Sequence, residues 1–69
     1  MDIPAKIRAV CGALRISEAE LARRIGTTPS AFHQRLSTGK FTTAELNQIA
    51  DTLGVQFICC FRFPDGTEV

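Results

Sequence analysis

Between Pro29 and Gly39 the polar side chains fall together: at 100° per residue Ser30, Gln34 and Ser37 share one side of a helix, Phe32 and Leu36 the other, with His33 and Arg35 on opposite flanks. Hydroxyl, carboxamide and imidazole groups set out this way offer hydrogen-bond donors and acceptors to a ligand lying along the helix. They do not compose a reaction centre. His33 is the single histidine, the carboxylates are not clustered, and no glycine-rich phosphate loop occurs, so neither an acid-base pair nor a metal site can be assembled. The composition therefore predicts a non-enzyme with no cofactor.

That helix must be held by its neighbours, and the signals for them are local. Thr28 is placed to cap it and Pro29 occupies its first position. Just before it, Ser17-x-x-Glu20 has the form of a capping box, Leu21 and Ile25 face inward, and Ala22 is small where another helix must come close. Gly26 then ends this short helix in the left-handed conformation that glycine adopts at no cost. An earlier helix is expected from Asp2 to about Leu14, with Ile3, Ile7, Val10 and Leu14 as its apolar stripe. A second capping box, Thr42-x-x-Glu45, opens a helix carrying Leu46, Ile49, Ala50 and Leu53 inward and stopping at Gly54.

After Gly54 the apolar period changes from that of a helix to that of a strand. Val55, Phe57, Cys59, Phe61 and Phe63 alternate with Gln56, Ile58, Cys60 and Arg62, and Pro64-Asp65-Gly66 is a turn signal before a short return. A lone strand with such a face leaves backbone groups and apolar surface uncovered. Pairing with a second copy about a two-fold axis would cover both. The expected dimer interface is Val55, Phe57, Ile58, Cys59, Cys60, Phe61 and Phe63; the alternative is that the strand folds back on its own helices and the chain stays monomeric. The reading is thus a mainly α protein, with a four-helix domain over residues 1–54 and a C-terminal β-strand or hairpin over 55–69 used for dimerisation.

At 69 residues the chain supports one core, close to the lower size limit for unaided folding. Hydrophobic residues at 45% and charged residues at 22% describe a folded domain rather than a disordered tail. No segment approaches the ~18 consecutive apolar residues of a membrane span. The first residues also lack the apolar run of a signal peptide, so a cytoplasmic protein is expected. The spacing of Cys11, Cys59 and Cys60 fits neither a zinc site nor a redox CxxC pair, and all three are expected to act as small hydrophobes. Net charge is +1 overall but uneven: residues 1–40 sum to +4 and residues 41–69 to −3. The basic half is the half with the glycine hinge.

Leu21-Ala22, Gly26-Thr27-Thr28, Phe32, Gly39 and the helix from Thr43 to Leu53 together resemble the helix-turn-helix domain of phage repressor and Cro proteins, the XRE-like regulators. The likeness covers roughly Ile3 to Val55. It implies a sequence-specific regulator of transcription that binds double-stranded DNA, with the third helix in the major groove. By position the base-reading side chains would be Thr28, Ser30, His33 and Gln34, with Gln34 able to pair two-pronged with adenine. The backbone contacts would be Arg23, Thr27, Arg35, Lys40, Thr42 and Thr43. Two features depart from the family pattern. Glu18 stands where many members carry a phosphate-touching glutamine, and the stretch from Gly26 to Gly39 is one residue longer than in the commonest members. Glu18 and the modest net charge also keep open a second function, a helix-turn-helix used as a protein-interaction module of antitoxin or antirepressor type. Neither reading requires a small-molecule ligand.

Overall fold

The structure, a computed structural model, describes residues 2–69. Four helices follow in order: α1 over Ile3–Leu14, α2 over Glu18–Arg24, α3 over Pro29–Thr38 and α4 over Thr43–Leu53. Each starts on a capping side chain. Asp2, Ser17, Thr28 and Thr42 accept from the backbone N–H three residues on, at 3.0–3.1 Å. The box at Thr42 is complete, since the Glu45 carboxylate accepts in return from the Thr42 N–H at 2.9 Å. The box expected at Ser17 is only half formed: the Glu20 carboxylate is drawn away by Arg23 and Arg24 one turn further along the same helix.

The core is one cluster drawn from all four helices: Ile7, Cys11, Leu21, Ala22, Phe32, Leu36, Leu46 and Ile49. Leu21 and Ala22 are 0% exposed, so the small residue does sit where α2 meets its neighbours. On α1 the buried positions are Ile7, expected, and Cys11, whereas Leu14, expected on the stripe, is 43% exposed. The helix stops at Leu14, leaving no further turn to cover it, and the chain re-enters the core with Ile16.

The end of α1 contains the one left-handed non-glycine residue among those described, Arg15 at φ 58°. Its N–H bonds to the Gly12 carbonyl at 3.2 Å and the Ile16 N–H to the Cys11 carbonyl at 3.0 Å, the paired closure that usually has glycine at this position. A left-handed L-residue costs roughly 1–2 kcal/mol, part of which glycine gives back in unfolded-state entropy. Arg15→Gly is therefore expected to raise stability by about 1 kcal/mol, seen as a higher urea midpoint at unchanged slope. An unchanged or lower midpoint would contradict this view of the turn.

The tail departs from the expected strand. Residues 55–61 run without helix, turn or bend but join no ladder, and the only β pairing among the described residues is a bridge between Arg62 and Glu68. The turn at 64–66 does form, closed by Phe61 with Val69 and Phe63 with Thr67 through backbone bonds. The physical reason is that a ladder needs a neighbour, and within one chain only the three-residue return is available. Val55 and Phe57 instead turn back over α1 and α4, bordering an apolar groove of about 130 Å³ walled by Ile3, Val10, Leu46 and Leu53. Beyond them the apolar side chains are uncovered: Ile58 is 71% and Phe61 79% exposed, and Phe63 is exposed too. Cys11 is buried as a small hydrophobe, but Cys59 and Cys60, expected to behave likewise, are exposed with the rest of the tail. No described helix is long and apolar enough to cross a membrane.

Candidate nucleic-acid interface

The hinge is built from backbone bonds. Gly26, at φ 85°, donates to the Arg23 carbonyl at 3.1 Å while the Thr27 N–H reaches back to the Ala22 carbonyl at 2.9 Å. This double closure ends α2, and Thr28 starts α3 two residues later. Underneath, Phe32 meets Phe41 edge-on, with ring centroids 6.4 Å apart and planes at 68°, so α3 is fixed through its inner edge. Phe41, on the short link between α3 and α4, carries no sequence signal beyond being apolar. Gln48 adds a bond across the bundle, donating to the Ile25 carbonyl at 3.5 Å.

What this leaves outward on α3 is Ser30, His33, Gln34 and Ser37, all exposed. Gln34 and Ser30 make no side-chain hydrogen bond within the described residues, so their donors and acceptors point to solvent. Thr28 is exposed, but its Oγ1 accepts from the Ala31 N–H at 3.1 Å; its hydroxyl proton alone is left for an outside acceptor. Thr27 is half-buried in the hinge. His33 lies with Nδ1 3.9 Å from a Glu18 carboxylate oxygen.

Glu18 is not the bare negative charge that its position in the sequence implies. Arg8, on α1, donates to it from Nε at 3.0 Å, which makes Glu18 a link between α1, α2 and the outer face of α3. Arg8 carries no motif, and only the packing of α1 on α2 reveals the pair.

The cations expected at phosphates are placed unequally. Arg23 is paired with Glu20 at 3.2 Å, and Arg24 with the same carboxylate at 3.1 Å; together, Arg24 foremost, they hold Glu20 below its ordinary titration range. Arg35 binds Glu45 and the Lys40 carbonyl at 2.9 Å, and its guanidinium lies 5.1 Å over the Phe41 ring. Lys40 is exposed and has no carboxylate partner among the described residues. Thr42 and Thr43 are both exposed at the start of α4, yet the Thr42 N–H is already taken by Glu45. These ion pairs are solvent-exposed, and such pairs are worth roughly 0–1 kcal/mol each, so a phosphate can displace the carboxylate from Arg23 or Arg35 at small cost.

Glu45 is where charge and fold meet. The Thr42 N–H, and after it the Arg35 guanidinium, hold its carboxyl below the usual value of 4.5. A lowered folded-state value means that the ionised form stabilises the fold above the ordinary carboxylate range and that this contribution is lost as pH falls through the lower folded value. The melting-temperature gap between wild type and Glu45→Gln is thus expected to be widest near neutral pH and to shrink as the pH is taken down through and below the ordinary carboxylate range. A gap independent of pH would show that the charge contributes nothing.

A short helix, a glycine turn and a second helix clamped on its inner edge and polar on its outer edge define a helix-turn-helix. Residues 6–58 match the family model of the Cro/C1-type HTH DNA-binding domain, and the chain belongs to that family. The matched stretch runs past Gly54 into the first residues of the tail. No curated protein and no solved structure matches the chain. Family membership makes it a DNA-binding regulator of transcription.

Proposed function

We propose that the protein is a sequence-specific repressor that acts in the cytoplasm as a homodimer on a palindromic operator. The observation that carries this is the outer face of α3, where Ser30, His33 and Gln34 are exposed on a helix whose other edge is locked by Phe32 and Leu36. Such a face enters the major groove with its first turns at base edges. Gln34 reads a base directly, Ser30 and Thr28 supply single hydrogen bonds, and His33 lies on the flank beside Glu18. Lys40, Arg23 and Arg35 take phosphates, with Thr27, Thr42 and Thr43 alongside them. The dimer reading rests on the tail, whose exposed Ile58, Phe61 and Phe63 and open backbone edge would be covered by the same segment of a second copy.

Selection of preferred duplexes from a random pool tests both parts. The expected product is an inverted repeat whose half-sites lie about one helical turn, ~34 Å, apart. Recovery of a single unrepeated site would overturn the dimeric operator.

One observation favours the second reading, a protein-interaction module. Arg8, Arg23, Arg24 and Arg35 are all bound to carboxylates of the chain itself. A partner that met this surface through hydrogen bonds would leave those pairs in place, and duplex DNA would then fail to bind even at low salt.

A further inference from the structure

The Glu18 carboxylate is divided between two helices. Oε1 accepts from Arg8 Nε at 3.0 Å, and Oε2 stands 3.9 Å from Nδ1 of His33 on the outer face of α3. Arg8 thereby fixes the plane of the carboxylate and leaves its second oxygen turned toward the imidazole. The gap to the ring is longer than a hydrogen bond but within ion-pair reach, and a shift of about 1 Å closes it. Glu18 is half-buried and His33 exposed, so the ring is the member that a ligand reaches. No other charged side chain is paired with the ring among the described residues. Ser37 Oγ, one turn on, donates to the His33 carbonyl at 3.1 Å rather than to the imidazole, and on the α4 side Glu45 is held by Arg35 and Thr42.

An ionised carboxylate only accepts hydrogen bonds, so the ring nitrogen that faces it carries a proton. In a neutral imidazole one nitrogen donates and the other accepts; with Nδ1–H directed at Glu18, Nε2 is left as the acceptor and points away from the domain. Protonation of the ring turns Nε2 into a donor while Nδ1–H stays on the carboxylate. Base edges in the major groove sort by the same property. Adenine and cytosine present an exocyclic amine as donor, whereas guanine presents N7 and O6, acceptors both. Imidazole is the side chain whose charge changes between about pH 5 and 8.

Given the reading of α3 proposed above, we infer that Glu18 positions His33 as a base reader, which offers Nε2 to the amine of adenine or cytosine when neutral and to guanine once protonated. Glu18 is a positioning residue and touches no base itself. A glutamine in its place could not serve the same end. Its amide offers a donor or an acceptor according to how it is turned, and so leaves the imidazole tautomer free. The negative charge beside the reading face thus sets which atom of His33 meets the groove.

Selection from a random duplex pool at about pH 8 and again at about pH 5.5 spans the change of imidazole charge. Wild type is expected to prefer an amine-bearing base at one position of the site at the higher pH and guanine there at the lower, each by about tenfold. His33→Ala identifies that position by losing the preference at both. Glu18→Gln is expected to flatten the preference and abolish its change with pH, with the other positions unaltered. If Glu18 did no more than repel phosphate, Glu18→Gln would tighten binding to all duplexes alike and leave every preference as it was. That result, or a wild-type preference identical at the two pH values, overturns the role of Glu18 and leaves α3 as the reading helix. Failure of the folded protein to bind any duplex overturns the reading of α3 itself, and the positioning of His33 with it.

Discussion

Phe32→Ala is expected to destabilise the protein by about 3–5 kcal/mol, the cost of emptying a buried aromatic site. Phe32 is among the core residues and is also the ring on which Phe41 rests, so its removal opens the contact between α3 and the link to α4. A domain of 69 residues has on the order of 3–10 kcal/mol of stability in all. The variant should be largely unfolded at 37 °C by circular dichroism, and duplex binding should vanish with the fold. A loss below about 1 kcal/mol would mean that the cluster closes around the gap and that α3 is held by something else.

Gln34→Ala acts on the opposite edge of the same helix and should leave the fold alone, since Gln34 is exposed and bonded to nothing else in the described chain. Its expected cost is about 1–3 kcal/mol in discrimination at one base position of each half-site, with binding to unrelated duplex unchanged. The two variants thus separate the edge that holds α3 from the edge that reads. An unchanged base preference would move the direct contact to Ser30 or His33.

The features readable from the sequence are those set by neighbouring residues. Capping by Asp2, Ser17, Thr28 and Thr42 and the glycine exits at Gly39 and Gly54 depend on bonds within a few residues, and all are present as expected. The inward faces of α2, α3 and α4 follow from periodicity for the same reason. Features requiring two distant segments were not legible. Phe41 under Phe32, Arg8 on Glu18 and Arg35 on Glu45 exist because helices cross where they do, and no spacing in the chain announces them. Local competition also misled: Glu20 has the capping position but lies next to two arginines that take its carboxylate.

The tail shows the same division more sharply. Alternation of apolar residues correctly marks 55–63 as a non-helical run with a turn after it, because that is a property of the segment. A strand is a property of a pair, and residues 55–60 have no neighbour within the described chain. Val55 and Phe57 accordingly cover the groove between α1 and α4, and the remaining apolar side chains stay open to whatever pairs with them.

Whether the outer face of α3 grips duplex DNA decides the account. The direct measurement is a fluorescence titration of a labelled random-sequence duplex across a salt series. Contacts from Lys40, Arg23 and Arg35 predict binding that weakens steeply with salt, with a log-log slope of about −3 per chain if each cation takes one phosphate. No binding at the lowest salt, by a protein that circular dichroism shows to be folded, would contradict it.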